Sequence, residues 1–471
     1  MPDQPGIDAY AAYLPAYVLA DNRLDATTAP RSGGPTRSVA AYDEDSVTMA
    51  VEALRHLAEP TGWGRQLLLA TTSAPYDAKT SAGIVHEALG LDPGVSAVDL
   101  RGHRSGAAAL DLVTRAGACA ALADVRTTRP GAPDELAQGD AAAAFIGGSG
   151  TSPRAATLVA RAAHTTEVLE RWRLPGEQHD RVWDERFTAE VLVEAGKAAA
   201  TRALADAGLS GVHHVVVSSS NARAAATLRR ALGGDGQDAM IERATGFTGA
   251  AHPGLLLAAC LDLAEPGQTV LLLSATEGAD AFVFRVGDDI RTARTGPTVR
   301  DQLAAQQQLG YGRFLRWRGL LDVQGPARPA APAPAAPPMN RRAGWKFRLE
   351  GSRCDACGSV TTPPRRICVS CGIPTSTDSP SKVSLRDRVA TVVSVTTDHL
   401  TTMPEASVAI VIADVEGGGR LSAYAADVPA EDVAVGMEMT PTFRRLWTTD
   451  AIHNYFWKLR PTTAVLDKDT P

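Results

Sequence analysis

Cys354, Cys357, Cys368 and Cys371 fall within 18 residues, in the run CDACGSVTTPPRRICVSCG, as two C-x-x-C pairs separated by ten residues. Four thiolates complete the tetrahedral shell of a zinc ion, and the glycine after each pair suits the tight turn that brings two sulfurs to one metal. The spacing predicts a structural zinc ribbon. A site closed by four protein ligands leaves no position for water or substrate, which argues against catalysis there. A redox dithiol is the alternative, but such motifs ordinarily stand alone in a β-α-β setting. The two remaining cysteines, Cys119 and Cys260, lie among alanines and leucines, where a free thiol behaves as a small core hydrophobe.

A second candidate is His103, in VDLRGHRSGAAAL. A short apolar run meets a polar kink at Arg101–Ser105 and continues as a small-residue helix. A strand feeding a helix start is a common mount for a nucleophile, because the helix dipole stabilises an anion there. His103 holds that place without being a thiol, and a satisfied polar turn is the plainer reading.

The elements that must position these residues repeat about 145 residues apart, which is the first thing to seek in a long chain. The first copy runs through LLLATTS, HEALGL, AVDLRGH, SGAAALDLVTRAG, CAALADV and GDAAAAFIGG. The second runs through HHVVVSSSN, ARAAATLRRALGG, ATGFT, GAAHPGLLLAACLDLA, QTVLLLSA and GADAFVFRVG. Val- and Leu-rich strands alternating with helices predict mostly parallel, helix-covered sheets in a layered α/β domain, with halves at 1–150 and 151–324. Residues 164–190, rich in aromatic, Arg and acidic side chains, read as an inserted arm. The Pro/Ala tract at 325–344 reads as an extended spacer. A ribbon at 345–380 and short β-type runs across 381–471 then suggest a small barrel of about five strands, of the OB type.

Composition narrows the function classes. The 471-residue chain carries a net charge of −6 without long like-charge blocks, which argues against nucleic acid as the partner. No basic leader segment opens the sequence, and no apolar run reaches the roughly 18 residues of a membrane span. A cytoplasmic protein is expected, with no membrane partner.

The phrases GIDAYAAYLPAYVL, TTSAPYDAKTSAGIVHEALGL, GDAAAAFIGG and GAAHPGLLLAACLDLAEPGQTVLLL resemble the thiolase superfamily, in its 3-hydroxy-3-methylglutaryl-CoA synthase and ketoacyl synthase branch. RCDACGSVTTPPRRICVSCG, EGGGRLSAYAADV and HNYFWKLRP resemble the zinc-ribbon plus OB-fold family that accompanies thiolases. The resemblance implies a duplicated α-β-α-β-α domain followed by a four-cysteine zinc ribbon and an OB-type barrel. In active members of the branch a Cys at the kink is acylated by a CoA thioester, a His and an Asn position the carbonyl, and a Glu acts as acid and base. Those positions fall here on His103, Ser218, Phe247 and Thr72, so all four are changed.

The expectation that follows is an accessory, non-catalytic subunit of an acyl-CoA-dependent C-acyltransferase or thiolase-type complex. Its structural cofactor would be Zn2+, and its ligand acyl-CoA or CoA, with Gly417, Gly418, Gly419 and Arg420 as a candidate CoA loop. Its partners would be a separate thiolase and a second copy of the chain. Two rivals stand beside it: an acyltransferase using His103, Ser105 or Ser218, and a zinc-ribbon nucleic-acid binder.

Overall fold

The computed structural model describes residues 5–23, 34–57, 66–148, 155–329, 331–375 and 381–462. The chain divides into two compact units, one of residues 1–41, 45–86 and 91–321, the other of 42–44, 87–90 and 322–471. The expected boundaries near 150 and 380 lie in or beside segments outside the described residues.

The first unit is organised by one nine-stranded sheet. Its strands are β1 (Gly6–Tyr13), β2 (Gln66–Thr71), β3 (Ser96–Arg101), β4 (Cys119–Asp124), β5 (Ala141–Gly147), β6 (Ala156–His164), β7 (His214–Ser219), β8 (Thr269–Thr276) and β9 (Gly278–Val286). They lie in the order β7-β8-β9-β6-β1-β5-β4-β2-β3. The duplication read from sequence is visible in the ladder. β2 runs parallel to β4, which is antiparallel to β5, which is antiparallel to β1. β7, β8, β9 and β6 repeat that sequence of directions. β3 is an extra edge strand of the first half, parallel to β2. The halves join at β1 and β6 through Gly6–Thr157 and Ile7–Ala156.

The sheet is therefore mixed rather than mostly parallel. Only β2–β3, β2–β4 and β7–β8 are parallel. A single residue separates β8 from β9, too short a connection for a parallel crossover. Composition showed the strands but not their direction, since β4, β5 and β8 are buried along their whole length and read as unbroken apolar runs either way.

Helices α1 (Ser105–Ala116), α2 (Glu185–Asp206) and α3 (His252–Leu261) complete the layers. α1 and α3 pack on each other and on β5, while α2 covers β6, β8 and β9. α2 begins where the Asp184 side chain accepts from the amides of Arg186 and Phe187. It buries Leu192, Ala195, Ala199, Ala200 and Ala203, a helical stripe of small residues that lets the helix lie close to the sheet.

The second unit holds the three-stranded sheet of β10 (Glu350–Arg353), β11 (Val360–Thr361) and β12 (Ser381–Ser384). A five-stranded antiparallel sheet follows, of β13 (Ala390–Asp398), β14 (Val408–Val415), β15 (Arg420–Tyr424), β16 (Glu438–Thr449) and β17 (Ile452–Pro461), in the order β15-β14-β13-β16-β17. Five strands match the expected number. Among the described residues the ladder does not close into a barrel, and its ends meet at one bridge, Ala425 to Leu459. The Pro/Ala tract differs from the expected spacer. Its second half forms helix α4 (Ala336–Arg341) and runs into α5 (Ala343–Arg348), with Pro337 and Pro338 in the first turn of α4, where proline costs little.

Candidate functional site

The two cysteine knuckles are built alike. Gly358 N–H donates to the Cys354 carbonyl at 2.8 Å, and Gly372 N–H to that of Cys368 at 3.0 Å. Both glycines adopt positive φ, 73° and 74°, a conformation that a side chain at either position would strain. The four sulfurs lie within 4.8 Å of one another. Cys354 and Cys371 are 3.7 Å apart, and Cys357 and Cys368 3.6 Å, close to the edge of about 3.8 Å in a tetrahedron with Zn–S bonds of about 2.3 Å. The donor set and spacing fit structural zinc.

The glycine loop at 416–420 is the turn between β14 and β15. A Cβ on Gly418 would lie 3.2 Å from Val360, and one on Gly419 3.1 Å from Thr362, so the loop packs against the ribbon. Arg420 is already paired with Asp414, at 2.6 and 2.8 Å. The structure thus gives Gly418, Gly419 and Arg420 local packing and pairing.

In the first unit, the parallel strands deliver their C-terminal ends to one region. Thr72 follows β2, His103 follows β3 and Asp124 ends β4. Asp124 accepts six hydrogen bonds: from the amides of Thr72 (2.7 Å), Ser73 (3.0 Å) and Ala250 (2.7 Å) and the hydroxyls of Thr71 (2.8 Å), Thr72 (2.9 Å) and Ser73 (2.9 Å). With its acceptor sites so filled it is an anchor and not a free base. The Thr72 hydroxyl proton is committed to it, while the Thr72 oxygen also accepts from Arg126 at 2.8 Å.

Arg126 is the hub of the region. Only 2% of its side chain is exposed. It bonds Gln138 at 3.2 Å and lies 5.9 Å from the centre of the Phe247 ring. Its counter-ion is Asp180, which belongs to the arm. That arm is a hairpin pairing Arg171–Trp172 with Arg181–Val182. Four contacts hold it: Asp180 on Arg126, Arg173 on the Thr72 carbonyl, Arg171 on Asp134 at 3.0 Å, and Glu170 on Ser220. Burial pushes the Asp180 carboxyl up, but Arg126, His103, Arg173 and Arg171 together outweigh it and hold the group below the usual carboxylate range.

His103 sits on the kink, where Ser105 N–H donates to the Gly102 carbonyl at 3.1 Å. Its Nδ1 is buried without a hydrogen-bond partner. Burial, then the charge of Arg126, lower its pKa to about 4, so it is neutral at neutral pH and a weak base. Thr72 and Phe247 therefore gather directly on Arg126, and His103 lies within its field. Ser218 is fully buried at the end of β7, its hydroxyl without a partner, and no hydrogen bond joins it to the other three positions. Cys119 is buried as expected, whereas Cys260 is only partly covered.

Sequence reasoning missed Asp124, Arg126 and Asp180, whose roles depend on partners more than 50 residues distant. It also missed His252, which is fully buried at the start of α3, with its ring centre 4.9 Å from that of Phe247. Burial lowers its pKa to about 3. The one available signal was a pair of charges, in ADVRTT, at and just past the end of an otherwise apolar strand.

The fold and the sites together define a thiolase-like α/β domain joined to a cysteine zinc ribbon. Residues 346–375 match the family described as ChsH2, rubredoxin-like zinc ribbon domain. About two-thirds of the chain is similar to hydroxymethylglutaryl-CoA synthases. The relative from Thermococcus sibiricus is 28% identical over 337 residues, covering 67% of this chain and 96% of its own. The one from Archaeoglobus fulgidus is 29% identical over 343 residues, covering 66% and 98%. Among solved structures, an HMG-CoA synthase complexed with CoA superimposes with a TM-score of 0.56 at 18% identity, over 66% of this chain and 90% of that one. PksG, an HMG-CoA synthase from Bacillus subtilis, gives 0.56 at 14%, over 67% and 89%. Among the described residues no helix is long and apolar enough to cross a membrane.

Proposed function

We propose that this chain is an accessory, non-catalytic subunit of an acyl-CoA-dependent C-acyltransferase or thiolase-type complex, in which a separate thiolase supplies the reactive cysteine and histidine. The observation that carries the reading is the buried Arg126–Asp180 pair. Where a covalent acyl-transfer site needs a nucleophile, a base and donors aimed at an oxyanion, this chain sets an ion pair and an arm of its own. Thr72 has its proton committed, His103 is a neutral imidazole, and Phe247 offers no polar group.

The similarity to synthases, one of which is described with CoA, supports acyl-CoA or CoA as the ligand of the complex, and the cysteine ribbon supports Zn2+ as a structural cofactor. The free side of β3, whose Val98 is 36% exposed, is a sheet edge suited to a second copy of the chain. A cytoplasmic location accords with this reading. The OB-type topology of the second unit is part of the same proposal.

A second reading, an acyltransferase in its own right, draws on the unpartnered Nδ1 of His103. One experiment separates the two. The tagged chain is recovered with its partners from its own cells, and acetyl transfer from acetyl-CoA is measured for the chain alone, for the co-purifying thiolase alone and for the mixture. Turnover only with the thiolase, and no acyl adduct on this chain by intact mass, is expected. Turnover by the lone chain that is lost in His103→Ala overturns the proposal. Salt-sensitive binding to DNA or RNA would favour the third reading, a nucleic-acid binder, against which the net charge of −6 argues.

A further inference from the structure

The second unit contains a groove of about 300 Å3 between the Pro/Ala strap with α4 and α5 on one side and the β16–β17 hairpin on the other. Its walls carry the rings of Trp345, Trp447 and Phe456, and its charged groups are Arg342 and Lys346. Among the described residues, no Asp or Glu lines it.

Three features make it a built site rather than a crease. The strap is tied down at its start: Arg328 is paired with Asp398 at 2.9 Å, and Thr449 Oγ1 donates to the Ala331 carbonyl at 2.9 Å. The walls are mutually ordered, with Trp345 edge-on to Phe456 at 5.2 Å and Lys346 bonded to Asn454. The Trp447 indole N–H is buried and has no hydrogen-bond partner, although a buried indole usually finds one. An acceptor is the missing element.

We infer that this groove binds a small aromatic carboxylate, its ring between the Trp and Phe walls and its carboxylate against the Trp447 N–H and the Arg342 and Lys346 cations. The charge complementarity is one-sided, because the groove presents cations and donors and no competing anion. Aromatic walls favour a planar body, and a wall already held in place loses little freedom when a ligand enters. The inference is independent of the accessory role proposed above, since it concerns other residues and involves no acyl transfer.

The test is calorimetric titration of the full zinc-loaded chain with 2-naphthoate, with neutral 2-naphthamide as the paired probe. Saturable 1:1 binding of the acid is expected, with the amide bound at least about tenfold more weakly, the worth of a charge-assisted hydrogen bond. Arg342→Ala is expected to weaken the acid about tenfold. Trp447→Phe, which keeps a ring and removes the N–H, is expected to weaken it severalfold, with folding checked by circular dichroism and zinc content. No saturable binding overturns the inference, as does equal affinity for acid and amide, or an affinity untouched by both substitutions.

Discussion

The cysteine knuckles and the His103 kink are both turns beside short strands that carry residues able to do chemistry, yet they are assembled in opposite ways. At the knuckles all the ligands lie within 18 residues, and the amide bonds that aim the sulfurs are local ones, so the chemistry is specified by spacing. At the kink the outcome is set by Thr72, Asp124, Arg126, Asp180 and Phe247, which arrive from separate segments. A local site keeps its chemistry as long as its few residues stay. A site assembled from distant strands depends on every segment that reaches it.

The comparison can be broken at either place. The largest effect is expected at the knuckles. Chelation, or Cys354→Ser, should unfold the ribbon, since structural zinc contributes on the order of 10 kcal/mol to such small domains. Calorimetry should then show the transition of the second unit lost and that of the first retained, and two unchanged transitions would contradict a structural metal.

Next is Arg126→Ala. Removing one partner of a buried ion pair costs about 3 kcal/mol or more, because Asp180 keeps only Arg173 at 3.3 Å and Arg171 at 4.0 Å. Urea denaturation should register the loss, and limited proteolysis should now cut the arm near 174–178. An arm still resistant to protease would mean that Arg126 is not its latch.

Gly418→Ala should destabilise the second unit by about 1–2 kcal/mol, as expected for a side chain forced to positive φ, here 110°, and pressed on Val360. A thermal shift without change in zinc content checks it.

The last effect is spread over pH. Burial holds His103 at about 4 and His252 at about 3, against 6.5 for an ordinary histidine. Between pH 6.5 and 4 the unfolded chain takes up protons that the folded chain refuses. Stability therefore falls as pH falls through this window, by up to about 1.4 kcal/mol per pH unit for each histidine. His103→Asn should remove one share and leave that of His252. Denaturation midpoints across a pH series measure it, and an unaltered slope would mean that His103 is not held neutral.

The sequence by itself determined the duplicated half, through strands and helices recurring in the same order, and the four-cysteine site, through spacing that only local turns need satisfy. It also located the kink and the histidine on it. It could not give the direction of β5, because a wholly buried strand looks alike parallel or antiparallel. Nor could it show that the Pro/Ala tract coils into α4, since an alanine-rich stretch without a partner is a marginal helix. Tertiary structure alone decided what surrounds His103. The parallel strands bring Thr72 and Asp124 beside it, the arm returns with Asp180, and Arg126, buried with little water to screen it, takes the nearest carboxylate. No spacing along the chain encodes that meeting, because it exists only once the sheet has set its register.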